Sequence, residues 1–113
     1  MSDLIYVSIT GLKLRRIWYA PTFWRHAMAS MAQAQSATGC LSAETRTIQG
    51  VHHTLSVWTS KEAMLAYLTQ GAHLKAMQLF GKIATGKTFG FETHIIPGWD
   101  DVHRIWRDQG QKV

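Results

Sequence analysis

The sequence holds a single cysteine, Cys40, so no disulfide can form within the chain. It has no apolar run approaching the roughly 20 residues that a membrane-spanning helix needs, which excludes a span of that kind. Acidic side chains are scarce, 7 Asp and Glu against 12 Lys and Arg. The resulting formal charge of +5 favours anionic partners such as nucleic acid, a carboxylate ligand or a heme propionate, without choosing among them. No long basic run or RNA-binding signature accompanies that balance, so nucleic acid is not expected as a partner. Lys13, Arg15 and Arg16, followed by Trp18, Tyr19, Phe23 and Trp24, read instead as a solvated connection into an amphipathic helix. The opening stretch, MSDLIYVSITGLKLRR, lacks a basic segment followed by an apolar one and a small-residue cleavage site, so the expected location is cytoplasmic. No repeat, linker or low-complexity segment divides the 113 residues, and the expectation is one domain over residues 1–113.

What is present is a regular alternation of patterns. LIYVSIT, residues 4–10, places Ile5, Val7 and Ile9 on one side of a strand that Gly11 is expected to end. After Pro21, Thr22 reads as the cap of a four-turn helix with Phe23, Ala27, Ser30, Met31 and Ala34 inward and Gly39 as its stop. Residues 40–48 and 50–58 read as two strands joined at Gln49 and Gly50. Thr59 and Glu62 have the spacing of a capping box opening a second helix, with Met64, Leu65 and Leu68 inward. Beyond Gly71, HLKAMQLFGKI continues helically with Leu74, Met77 and Phe80 inward. TFGFETHII, residues 88–96, is a fourth strand. Pro97 and Gly98 turn the chain into a terminal helix over residues 99–107, with Asp100 and Asp101 at its positive end and Arg104 and Arg107 near its negative end.

The run GKIATGKT, Gly81 to Thr88, matches the phosphate-loop pattern G-x-x-x-x-G-K-[ST] letter for letter. A phosphate loop needs a strand before it and a helix after it. Here a helix precedes and a strand follows, so the match is a coincidence of a helix-to-strand connection.

The order strand, helix, strand, strand, helix, strand is the ferredoxin-like βαββαβ arrangement, an α+β fold with an antiparallel four-stranded sheet and a C-terminal helix. The first and third strands should be central, with helices covering one face. Odd-numbered positions are the more apolar: Ile5, Val7 and Ile9; Leu41 and Ala43; Val51, Leu55 and Val57; Phe89, Phe91 and Ile95. They are expected to pack beneath the helices. The even-numbered set, including Tyr6, Ser8, Thr10, His52, Thr54, Ser56 and Trp58, is expected on the other face, which suits water or the lining of a wet cavity.

The run S-V-W-x-S-x-E-A-M, Ser56 to Met64, followed by G-A-H-x-x-A-M, Gly71 to Met77, resembles the third strand and second helix of the dimeric α+β barrel superfamily. The resemblance is to its antibiotic-biosynthesis monooxygenase-like and spheroidene monooxygenase-like branches. It implies a homodimer in which two sheets pair through their open faces, and a small-molecule pocket between sheet and helices in each subunit. The activity implied is that of a monooxygenase-like enzyme on a small apolar or aromatic compound, with no cofactor. The superfamily also contains heme-binding members, so a heme protein without turnover is an alternative, and a non-catalytic dimerising barrel is another. The heme-degrading branch uses an Asn on the first strand, a Trp late in the second helix and a His beyond it, whereas Ser8, Tyr67 and Met77 occupy those places here.

His73 matches the family's histidine and is, with His52, the candidate for proton transfer. Trp24, Trp58 and Met77 are candidates for packing an aromatic ligand, and Ser8 and Thr54 for presenting hydroxyls to it. Met28, Met31 and Met64 read as core or as an adaptable apolar lining. A dedicated metal site is not expected. His52 and His53 are adjacent on a strand and point to opposite faces, His52 and His94 lie at opposite ends of the sheet, and His26 and His103 read as surface residues. The six histidines are not expected to converge.

Overall fold

A long first strand, β1 (Ile5–Leu14), runs through the centre of a computed structural model that describes residues 4–69 and 71–112, with the side chains of residues 71–76 outside that description. A 3-10 turn (Ile17–Tyr19) leads into α1 (Ala20–Ser36). β2 (Cys40–Ile48), β3 (Val51–Trp58), α2 (Lys61–Leu68), α3 (Gly71–Ile83) and β4 (Ala84–Thr93) follow, then α4 (Trp99–Gln109) and a two-residue β5 (Gln111–Lys112). The strand order is β2-β3-β1-β4-β5, antiparallel throughout, with β1 flanked by β3 and β4. This is the ferredoxin-like order with one strand more than the four expected. After Gly110 the chain is extended, and Gln111 and Lys112 pair with Thr88 and Lys87 along the free edge of β4. Among the described residues no helix is long and apolar enough to cross a membrane.

Several boundaries differ from the sequence-based expectation, each for a local reason. Gly11 does not end β1. The strand continues to Leu14 through its pairing with β4, and Gly11 serves instead to admit the Trp106 indole, with which any Cβ would collide. The longer β1 draws Ala84 to Lys87 into β4, through pairs such as Leu14 with Ala84 and Leu12 with Gly86. GKIATGKT is therefore the end of α3 joined directly to the start of β4, the reverse of a phosphate loop. α1 starts at Ala20 with Pro21 in its first turn, where a missing N–H costs nothing, so Thr22 is inside the helix. Ser60 rather than Thr59 caps α2, its Oγ accepting from the Ala63 amide at 3.2 Å. Gln49 and Gly50, both at positive φ, form the two-residue hairpin turn.

The largest correction concerns the faces. Tyr6 and Trp58 join Met31 and Ala34 of α1 and Met64 and Tyr67 of α2 in one cluster, with Ala43 of β2. Leu12 and Leu14 pack near Phe23 of α1 and Ile83 of α3 in a second. The helices α1–α3 thus cover the even-numbered face of β1 and β3. Val7, Ile9, Val51, Leu55 and Val57 lie on the opposite face and are buried beneath α4, against Val102 and Trp106. A register irregularity between Cys40 and Ser42 shifts β2 by one, which puts Ala43 opposite Ser56 and leaves Leu41 exposed. Ile95 lies beyond β4 and is exposed, and Met77, expected inward, is 41 % exposed because α3 turns Leu79, Phe80 and Ile83 toward the core instead.

Candidate functional site

The pairing of β1 with its two neighbours lays the helix-covered face out in cross-strand rows. Trp58, Tyr6 and Glu92 form one row, Ser56, Ser8 and Gly90 the next, then Thr54, Thr10 and Thr88, then His52, Leu12 and Gly86. The two middle rows carry five hydroxyls and a glycine. They lie between an aromatic end built on Tyr6, Trp58 and Tyr67 and another built on Phe23, Trp24 and Phe80. Ser8, Thr10 and Thr54 are only half-buried although they lie on the covered face, so the helices do not seal the middle of the sheet.

Some of these hydroxyls are engaged. Ser56 Oγ accepts from the Trp58 indole at 2.9 Å, and Thr88 Oγ1 donates to the Ile9 carbonyl at 3.2 Å. Among the described residues no side-chain hydrogen bond ties down Ser8 or Thr54. On α1, Ser30 Oγ is buried with no partner among the described residues, although the Ser30 carbonyl accepts from the Tyr67 hydroxyl at 3.0 Å. Burial holds the Tyr67 phenol well above its ordinary range, with the nearby Cys40 thiol acting in the same direction. Burial and, secondarily, the charge of Glu92 also raise Tyr6. Both phenols therefore stay protonated near neutral pH.

At the other end of the middle rows, His52 packs against Phe23 and Trp24, with ring centroids 5.0 Å away in each case. Its Nδ1 lies 2.9 Å from Thr47 Oγ1 on the neighbouring strand. Burial lowers its pKa, which keeps the imidazole neutral at pH 7. If Nδ1–H donates to Thr47, Nε2 carries the free lone pair, the arrangement a base requires.

Of the residues singled out from sequence, the fold places Ser8, Thr54, His52 and Trp58 on one face, with Trp24 packed above it. Trp58 is fully buried in the cluster at the aromatic end of that face. Met77 is exposed on α3. His73 lies near the start of α3, and its side chain falls outside the described residues.

The opposite face holds residues that sequence reasoning missed, and it corrects the expectation that the histidines stay apart. His53, only 1 % exposed, has its Nε2 2.8 Å from His103 Nδ1. Trp106 stands edge-on to it at 4.9 Å. His53 Nδ1 faces the Thr10 carbonyl without a well-formed hydrogen bond. Burial first, then the neighbouring His103, pushes the His53 pKa down to about 4. His103 is thus a partner of the sheet rather than a surface residue. The only sequence signal was its i, i+3 spacing to Trp106 on one side of α4. Beside this pair, a cleft of about 460 Å³ is lined by Arg46, Trp99, Asp100, His103, Arg104 and Arg107, among others. Among the described residues no group of three His, Cys, Asp or Glu side chains is placed to hold a metal ion.

No protein-family model and no curated protein matches the sequence. Solved structures do. A conserved protein of unknown function from Bacteroides thetaiotaomicron, described as a possible oxidoreductase, superposes with a TM-score of 0.70 at 15% identity, covering 81% of this chain and 100% of its own. SnoaB from Streptomyces nogalater, a cofactor-independent oxygenase, gives 0.66 at 13% identity, covering 77% and 90%. A proposed antibiotic biosynthesis monooxygenase from Caulobacter crescentus gives 0.67 at 16% identity, covering 82% and 91%. The element order, the antiparallel sheet and these superpositions together give the chain the ferredoxin-like α+β fold of the antibiotic biosynthesis monooxygenase-like proteins.

Proposed function

We propose that the chain is a monooxygenase-like enzyme that works without a cofactor on a small apolar or aromatic compound held between the sheet and α1–α3. The observation that carries this reading is the hydroxyl-bearing centre of the helix-covered face, set between two aromatic ends with a neutral His52 at one of them. Such a space suits a flat apolar molecule bearing one or two oxygen atoms. Ser8 and Thr54 would hydrogen-bond those oxygens, Trp24 and Phe23 would pack the rings, and Trp58 would form the end wall. His52, and His73 from α3, would take the proton that turns the substrate into an electron-rich anion, which then supplies the electrons to oxygen itself. The name of SnoaB as a cofactor-independent oxygenase supports the same chemistry for this fold. The working unit in this reading is a homodimer.

The test is a thermal-shift and oxygen-uptake screen against phenols and polycyclic ketones, with His52→Ala and His73→Ala in parallel. A true ligand at 100 times its Kd adds about 2.7 kcal/mol of stability. The reading expects at least one compound to raise Tm in all three proteins and to consume oxygen only where the base is intact. Full oxygen uptake in both variants would remove the histidines from the mechanism, and a panel with no binder would remove the pocket. A hemin titration separates the heme-binding alternative, which requires a Soret band saturating at one heme per chain and lost with one histidine.

A further inference from the structure

Between β1 and α1 the chain makes a 3-10 turn whose two leading side chains point away from the protein: Ile17 is 85% exposed and Trp18 70%. Single exposed apolar residues are ordinary, but an adjacent Ile and Trp, both largely exposed, form a contiguous apolar point. The tip is held in place rather than trailing. The Arg15 amide donates to the Ile83 carbonyl at 2.8 Å, and the Arg15 guanidinium donates to the Gly81 carbonyl at 3.2 Å. The Arg16 guanidinium lies 5.9 Å from the Trp18 ring.

The chain segments on either side of the tip carry charge of one sign, and the nearest carboxylate recorded beside this end, Asp108 of α4, faces Lys87 and Arg107 on the other face of the sheet. No Asp or Glu occurs between Asp3 and Glu44, or between Glu62 and Glu92. The segments that meet at this end, β1 past Gly11, the turn, the start of α1 and the junction of α3 with β4, therefore contribute Lys13, Arg15, Arg16, Arg25 and Lys82 without a carboxylate. Beneath the tip, Arg15, Arg16, Tyr19 and Thr85 line a cleft of about 430 Å³. Two guanidiniums, a phenol and a hydroxyl are donors suited to a phosphate.

We propose that this end of the molecule docks on an anionic lipid surface, with Trp18 and Ile17 entering the headgroup region and Arg15 and Arg16 gripping lipid phosphates. An indole beside basic side chains is the combination that membrane interfaces select, and cations near an anionic leaflet add attraction that salt screens. A second copy of the chain docked tip to tip fits poorly, because a two-fold contact centred here would set each Arg pair against its own equivalent. Single-stranded nucleic acid needs a groove with successive stacking faces, whereas one of the two exposed apolar side chains of this tip, Ile17, is aliphatic. The inference does not depend on the proposed activity.

The experiment is vesicle co-sedimentation of the full chain with phosphatidylcholine alone and with 30 % phosphatidylglycerol. The wild type is expected to bind the anionic vesicles at least tenfold more tightly, with a blue shift of tryptophan emission that a Trp18→Phe variant loses. Ile17→Ser/Trp18→Ser and Arg15→Gln/Arg16→Gln should each weaken binding at least tenfold. Arg104→Gln/Arg107→Gln removes the same charge from α4, which packs on the opposite face of the sheet, and should bind like wild type. Equal weakening by the α4 pair would show attraction by net charge alone and overturn the site. So would unchanged binding in the tip variants, or complete competition by a single-stranded oligonucleotide but not by inorganic phosphate.

Discussion

Acidification should destabilise this protein through His53 in particular. The imidazole is fully buried, and its pKa falls from an ordinary 6.5 to about 4 on folding. Between those values the unfolded chain binds a proton that the folded chain refuses, so stability rises with pH across this window. The contribution is complete above pH 6.5, declines as pH falls and is exhausted below about 4. Taking 6.5 and about 4 as the two values, the loss between pH 7.5 and pH 5 comes to about 2 kcal/mol. For a domain of this size that corresponds to roughly 10 °C in Tm. Carboxylates and His52 titrate as well, so the decisive quantity is a difference. Urea melts of wild type and His53→Gln at both pH values should show the variant losing about 2 kcal/mol less than wild type on acidification, whatever its stability at pH 7.5. Equal losses in the two proteins would refute the claim that His53 is held neutral in the core.

Trp58→Ala removes a fully buried indole and should cost about 3–5 kcal/mol in a urea melt, whereas a loss under 1 kcal/mol would place Trp58 outside the core. Gly11→Ala drives a methyl into the Trp106 ring; the expected cost of about 1–3 kcal/mol should shrink sharply in a Trp106→Ala background, and additivity of the two would sink the contact. Ser60→Ala should cost about 1 kcal/mol through the lost cap, while Thr59→Ala should cost less, the reverse of what the capping-box spacing implies. For binding, His52→Ala should abolish oxygen uptake with any compound that still raises Tm, and the wild-type rate should fall as pH drops far enough to protonate His52.

Much of this fold could be read from periodicity, because strand alternation and helix stops are local. The element order, the central places of β1 and β3, and the turn at Gln49 and Gly50 all follow from such signals. The face assignment does not, since both faces of this sheet are covered. Tyr6 and Trp58 read as amphipathic members of a mixed face, yet their ring bulk packs α1 and α2, while the more apolar Val7, Ile9 and Leu55 wait for α4. The start of β4 was hidden because Ala84 to Lys87 carry no apolar alternation, with Gly86 among them, and only the length of β1 recruits them. Strand parity was enough to group Ser8, His52 and Thr54 on one side. It could not reveal that His53 meets His103, because that contact depends on how α4 docks.

The central position of β1 sets the order in which this chain can mature. β1 is made before every strand it pairs with, and its partners β3 and β4 are separated from it in sequence by helices. Its second face is not covered until α4 has been synthesised. A growing chain therefore carries an apolar, unpaired Ile5–Leu14 segment through most of translation, and few of its native contacts can form early. Contacts this distant close slowly, and an exposed strand invites pairing with other chains meanwhile. Refolding should accordingly be slow for the protein's size and sensitive to concentration, and a holding chaperone that shields β1 should raise its yield more than any stabilising change in the finished core.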